Sequence, residues 1–102
     1  MKNLVFIILI TTSLLSAQQI TIKGIITDSR TARPLFGANI SLLESSSIGT
    51  TSQKDGKFIL NDVAINSILK ISYVGYTDRY FTVTTSAAGK EVLITLEQFV
   101  KK

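Results

Sequence analysis

The stretch from Gly49 to Tyr76, GTTSQKDGKFILNDVAINSILKISYVGY, leaves little room for anything but β-structure. At its centre Gln53-Lys54-Asp55-Gly56 is a turn signal, with glycine where the backbone needs a positive φ. A Thr/Ser-rich run, Gly49 to Ser52, precedes it, and Lys57-Phe58-Ile59-Leu60 returns as a strand. Asn61 to Ser67 reads as a loop. Ile68 to Val74 is the strongest strand of the chain, and Gly75 then interrupts the pattern between Tyr73 and Tyr76, relieving crowding at a bend.

The flanking sequence continues the two-residue period. Gln19 to Thr27 forms a strand with Ile20, Ile22 and Ile26 on one parity and Thr21, Lys23 and Ile25 on the other. Gly24 within it marks a bulge or a close backbone approach. Asp28 to Pro34 is a polar turn carrying the only proline. Phe36 to Glu44 places Ala38, Ile40 and Leu42 together, and Ser45-Ser46-Ser47 breaks it. Ile48 to Ser52 is a weaker strand. Phe58 and Leu60 point inward from the next, and Leu69, Ile71 and Tyr73 share a face of the fifth. Tyr76 to Thr84 follows, with Tyr76 and Tyr80 opposed in parity to Arg79, Phe81 and Val83. Glu91 to Leu96 is the seventh strand, with Val92, Ile94 and Leu96 inward. Seven short strands with turn signals every eight to twelve residues predict an all-β, seven-stranded antiparallel β-sandwich.

The first 17 residues stand apart. Lys2, the unbroken apolar run Leu4–Ile10 and the smaller residues down to Ala17 follow the plan of a cleaved signal peptide. The run is shorter than the roughly 20 residues a spanning helix needs, so no stable membrane span is expected after processing; an uncleaved anchor is the alternative. The expected division is signal peptide 1–17, domain 18–97 and a frayed tail 98–102. Processing removes one lysine and no acid, so the formal net charge of +4 falls to +3. The charges are scattered, which gives nucleic-acid binding no support.

The sequence contains no cysteine and no histidine. Disulfides, Cys nucleophiles, Ser-His-Asp triads and the usual catalytic zinc ligands are therefore excluded. No catalytic residue, cofactor or metal site is expected. Asp55 and Asp62, with Asn61 and Asn66 near them, are the candidates for Ca²⁺, but calcium takes six to eight oxygens. Turn formation by their side chains is the simpler expectation.

Four motifs in order resemble the carboxypeptidase regulatory-like domain: Gly24-x-Ile26-x-Asp28, Arg33 to Ile40 (RPLFGANI), Gly49 to Leu60 and Leu69 to Tyr76 (LKISYVGY). The resemblance covers about residues 19–97. It implies a transthyretin-like (prealbumin-like) sandwich, a module also found at the N-terminus of TonB-dependent outer-membrane transporters of Bacteroidetes-type bacteria, ahead of plug and barrel. The ending Ser72-Tyr73-Val74-Gly75-Tyr76 looks most like that bacterial group. The chain stops at Lys102, so a stand-alone copy of the module and a truncated gene product are both expected forms. Lys23 on the first strand is similar to the crosslinking lysine of pilin sandwiches, but the last strand offers no asparagine to join it.

The expectation for function is an exported, non-catalytic module making protein–protein contact in the periplasm or on the periplasmic face of the outer membrane. Its expected partner is an envelope protein, a transporter or one of its components. The alternatives are a glycan or small-ligand module, with Tyr73, Tyr76 and Tyr80 as contacts, and a transporter fragment with no independent role. A contiguous exposed tyrosine patch would favour the glycan, and an exposed apolar edge strand a protein.

Overall fold

The computed structural model describes residues 18–99, so the expected signal peptide and the last three residues lie outside the described part. Seven strands form two sheets: β1 (Gln19–Asp28), β2 (Asn39–Leu42), β3 (Ser45–Thr51), β4 (Lys57–Ala64), β5 (Ile68–Ser72), β6 (Arg79–Thr82) and β7 (Glu91–Leu96). One sheet has the order β4-β1-β7 and the other β3-β2-β5-β6. Among the described residues no helix is long and apolar enough to cross a membrane.

The inward residues are those the alternation singles out. Ile22 and Ile26 of β1, Phe58 and Leu60 of β4 and Ile94 and Leu96 of β7 meet Ile40 of β2 and Leu69 and Ile71 of β5. All are at most 6% exposed, and each buried side chain of this size stabilises the fold by about 1.5–3 kcal/mol. Gly24 is a close approach: a β-carbon there would meet the Phe58 ring at 2.5 Å and the Val92 carbonyl oxygen at 2.9 Å. Gly56 adopts φ +80° and its C=O accepts the Ile26 N–H at 2.8 Å, which fixes the Asp55-Gly56 turn against β1. Asp55 accepts the Lys57 N–H at 3.0 Å, closing that turn through its side chain.

Five local features depart from the sequence pattern. The β1–β7 pair is parallel, from Lys23 opposite Glu91 to Asp28 opposite Leu96; a two-residue period carries no strand direction. The serine triplet lies inside β3, because Leu43 and Glu44 alone make the turn from β2. β4 runs on through Asn61–Ala64, where a loop was expected, by means of a bulge. Ile20 faces Val63 and Ile22 faces Leu60, so Thr21 alone faces Asn61 and Asp62. Asp62 sits at φ 58°, and the extra residue lets Leu60 and Val63 both point inward despite their odd spacing. β5 ends at Ser72 and β6 begins only at Arg79. Between them Tyr73–Tyr76 is a turn, closed by the Tyr76 N–H to the Tyr73 C=O at 3.0 Å, with Gly75 at φ 89°.

The fifth departure concerns Gln98 and Phe99, which are not frayed. Glu97 C=O accepts the Thr77 N–H at 2.9 Å, Gln98 bridges Tyr76 antiparallel, and the Phe99 N–H reaches the Gly75 C=O at 2.8 Å. This short ladder ties the end of β7 to the segment between β5 and β6 of the other sheet.

Candidate functional site

The polar centre of the molecule is Asp28, at the end of β1 and 4% exposed. Its Oδ1 accepts the N–H groups of Arg30 at 2.7 Å and Thr31 at 3.0 Å. Its Oδ2 accepts the Tyr76 hydroxyl at 2.6 Å and, more loosely, the Gln98 amide at 3.5 Å. The Asp28 backbone closes the same turn, bonding the C=O of Arg33 and the N–H of Ala32. Ala32 is thereby held at φ 64°, a conformation that costs a residue with a β-carbon about 1–2 kcal/mol.

These donors set the electrostatics. The Tyr76 hydroxyl first, then the N–H groups of Thr31 and Arg30, hold the Asp28 carboxyl down at about 2. Reciprocally, the bond to the carboxylate raises the Tyr76 phenol above its ordinary value. A carboxylate saturated by four donors and held that acidic is a poor general base. It is a structural anchor, joining the first turn to the Tyr73–Tyr76 turn and to the exit strand.

The three tyrosines divide. Tyr73 and Tyr76 lie together, ring centroids 5.5 Å apart and tilted by 50°. With Pro34, Leu35, Arg33 and Gln98 they line an open recess of about 440 Å³ above Asp28. Tyr80 stands opposite Lys70 in the β5–β6 ladder, on the parity away from the buried Leu69 and Ile71. It faces outward beside the 3.7 Å Lys70–Asp78 ion pair. The structure thus forms a pair of tyrosines and a separate third, not one contiguous patch.

The calcium candidates are used by the backbone: Asp55 closes its turn, Asn61 and Asp62 make the bulge and Asn66 takes φ 76°. Asn61 Oδ1 accepts the Thr21 hydroxyl at 3.1 Å. Among the described residues no three carboxylates gather.

A buried polar contact that the sequence pattern does not reveal is Ser52. It is 2% exposed. Its hydroxyl donates to the Leu35 C=O at 2.6 Å and accepts the Ala38 N–H at 2.9 Å, pinning the turn before β2 to the end of β3. The signal available for it was a serine at the inward parity of a strand otherwise read as polar.

A family model described as the CarboxypepD_reg-like domain matches residues 22–100. Over 60 residues the chain is 40% identical to the TonB-dependent receptor SusC of Bacteroides thetaiotaomicron; the match covers 59% of this chain and 6% of the receptor. Among solved structures, one chain of a type II cohesin–X-dockerin complex from Acetivibrio cellulolyticus superposes with a TM-score of 0.59 at 21% identity, covering 76% of this chain and 56% of that one. The shaft pilin SpaA of Lactobacillus rhamnosus GG superposes at 0.53 and 18% identity, covering 83% and 48%. These two likenesses show the fold, a two-sheet sandwich. The chain spans only a part of each of these relatives.

Proposed function

The chain belongs to the CarboxypepD_reg-like domain family, related to a TonB-dependent receptor rather than to a catalytic family, and from that premise we propose that it works by protein–protein contact in the cell envelope. The observation that carries this reading is the pair Val74 and Phe99. They are 93% and 72% exposed. The Phe99 N–H bonds to the C=O of Gly75, the neighbour of Val74, so the two apolar residues stand at one end of the sandwich on a hydrogen-bonded frame. Exposed apolar groups on ordered backbone bind with little ordering cost. Export with loss of residues 1–17 would put this end in the periplasm or at the periplasmic face of the outer membrane, and a TonB-dependent transporter or one of its components is the partner proposed.

The test is co-isolation of the tagged protein from cells after mild crosslinking. A TonB-dependent transporter should be enriched with the native chain and lost with Val74→Ser/Phe99→Ser, at an unchanged melting temperature. Equal recovery with both proteins, or no transporter with either, would overturn the proposal.

The recess at Tyr73 and Tyr76 favours a second reading, the binding of a glycan. A sugar would pack on one ring, since the tilt prevents both from lying flat beneath it. Glycan titrations of the native chain and of Tyr73→Ala decide it: binding lost on substitution supports the reading, and no binding to the native chain removes it.

A further inference from the structure

β1 is the middle strand of the three-stranded sheet, and its ladder starts at Gln19, which faces Ala64 of β4. Core side chains follow at once: Ile20 packs against the core and Ile22 is fully buried. Cleavage after Ala17 therefore leaves a single residue, Gln18, ahead of the strand that joins β4 to β7. Gln18 is exposed, and its C=O accepts the Ile65 N–H at 3.2 Å. The backbone is thus held up to the Gln18 carbonyl, while the residue itself stands in solvent.

We infer that Gln18 is a modification site, at which the mature N-terminus closes to pyroglutamate. The α-amine of an N-terminal glutamine lies within reach of its own side-chain amide, so the attack is intramolecular and closes a five-membered ring. At neutral pH part of an α-amine population is unprotonated and nucleophilic. The nitrogen bonds to Cδ, the Cδ–Nε2 bond breaks, and a proton from the amine goes to the departing nitrogen, which leaves as ammonia. Nothing is oxidised or reduced, and no co-reactant is consumed.

The fold accommodates the product. The ring contains the Gln18 N, Cα, Cβ, Cγ and Cδ atoms and not its C=O, so the bond from Ile65 and the Gln19–Ala64 pairing are both kept. The lactam removes the α-ammonium charge and closes the chain to aminopeptidases that need a free α-amine. That protection matters here, because trimming by a few residues would reach Ile20 and Ile22. The inference rests on the export reading above, and the experiment separates the two.

The amines of the intact exported protein are dimethylated before tryptic digestion, so that ring closure during work-up does not count. Mass spectrometry then reads the peptide Gln18–Lys23. The expected peptide is unlabelled at its N-terminus, lighter than its sequence by one ammonia, and opened by pyroglutamyl peptidase at Gln19. Gln18→Asn, which could close only a strained four-membered ring, should carry the label and its full mass. Gln18 lies outside β1, so thermal melts of the two proteins should agree. A dimethylated Gln18 in most molecules, or the same ammonia loss from the Asn variant, would overturn the inference and leave export standing. An N-terminus at any other residue would overturn this inference together with the cleavage it rests on.

Discussion

Gly24 and Phe58 face each other across the β1–β4 ladder, and the phenyl ring fills the space that a side chain at residue 24 would need. The missing side chain and the large one are a single packing unit. The Val92 carbonyl closes the other side of the gap, so an added side chain at residue 24 would press on the β7 backbone as well as on the ring.

Gly24→Ala should therefore destabilise by about 1–3 kcal/mol, the usual cost of forcing an added carbon into a filled core. Phe58→Ala should cost about 3–5 kcal/mol and Ile71→Ala about 2–5. Lys57→Ala, whose side chain is half exposed, should cost about 0.5 kcal/mol or less. Urea melts of the four variants check this. Severe damage from Lys57→Ala with a mild Phe58→Ala would mean that the β4 register is one residue off.

The core and strand order along the chain were legible because alternation reports which side chains turn inward. Ile22, Ile26, Phe58, Leu69, Ile71, Ile94 and Leu96 all follow from it. What alternation cannot report is a change of phase. The bulge at Asn61-Asp62 resets the period between Leu60 and Val63, so four residues of β4 read as a loop. Nor does it report partners distant in sequence. Asp28 and Tyr76 are 48 residues apart, and Gln98 lies 70 residues beyond Asp28. Asp28 read as a turn residue and Gln98 as tail, because only the three-dimensional pairing of β1 with β7 brings them together. The tyrosines were separable in part: Tyr73 lies on the inward parity of its strand, but the turn that swings Tyr76 back onto Asp28 depends on Gly75.

Ser52→Ala should cost about 1–3 kcal/mol, because it leaves the buried Ala38 N–H and Leu35 C=O without the hydroxyl that serves both. Ser52→Thr keeps the hydroxyl and separates its loss from the effect of size. Chemical denaturation at neutral pH measures the difference. A neutral Ser52→Ala would show that this contact does not hold the turn.

The Asp28–Tyr76 bond predicts a two-sided pH dependence. The Asp28 carboxyl is lowered from 3.8 to about 2, so its contribution to stability is complete above the unfolded value and fades as pH falls from about 4 toward 2. Tyr76 is raised above 10.0, so its contribution is complete below that value and is lost as pH climbs through the higher folded one. Tyr76→Phe should lower the melting temperature at neutral pH and flatten both limbs. Thermal melts across the pH range check this; a Phe variant with the native profile would show that the bond contributes nothing.

Relief of the backbone at Ala32 gives a change in the opposite direction. Ala32→Gly removes the strain of φ 64° but frees the unfolded chain by about 0.4–1 kcal/mol. The net should be a gain of about 0–1.6 kcal/mol. A loss of stability in thermal melts would mean that the turn around Asp28 carries no strain.

Photo-crosslinking in living cells from a benzophenone amino acid at Val74 addresses the proposed contact most directly, with the same group at the exposed Tyr80 of the β5–β6 ladder as the control. The expected result is an adduct to a TonB-dependent transporter from position 74 and none from position 80. Equal adducts from both positions, or none from Val74 in cells where the protein is exported and folded, would contradict a contact made through the Val74–Phe99 end.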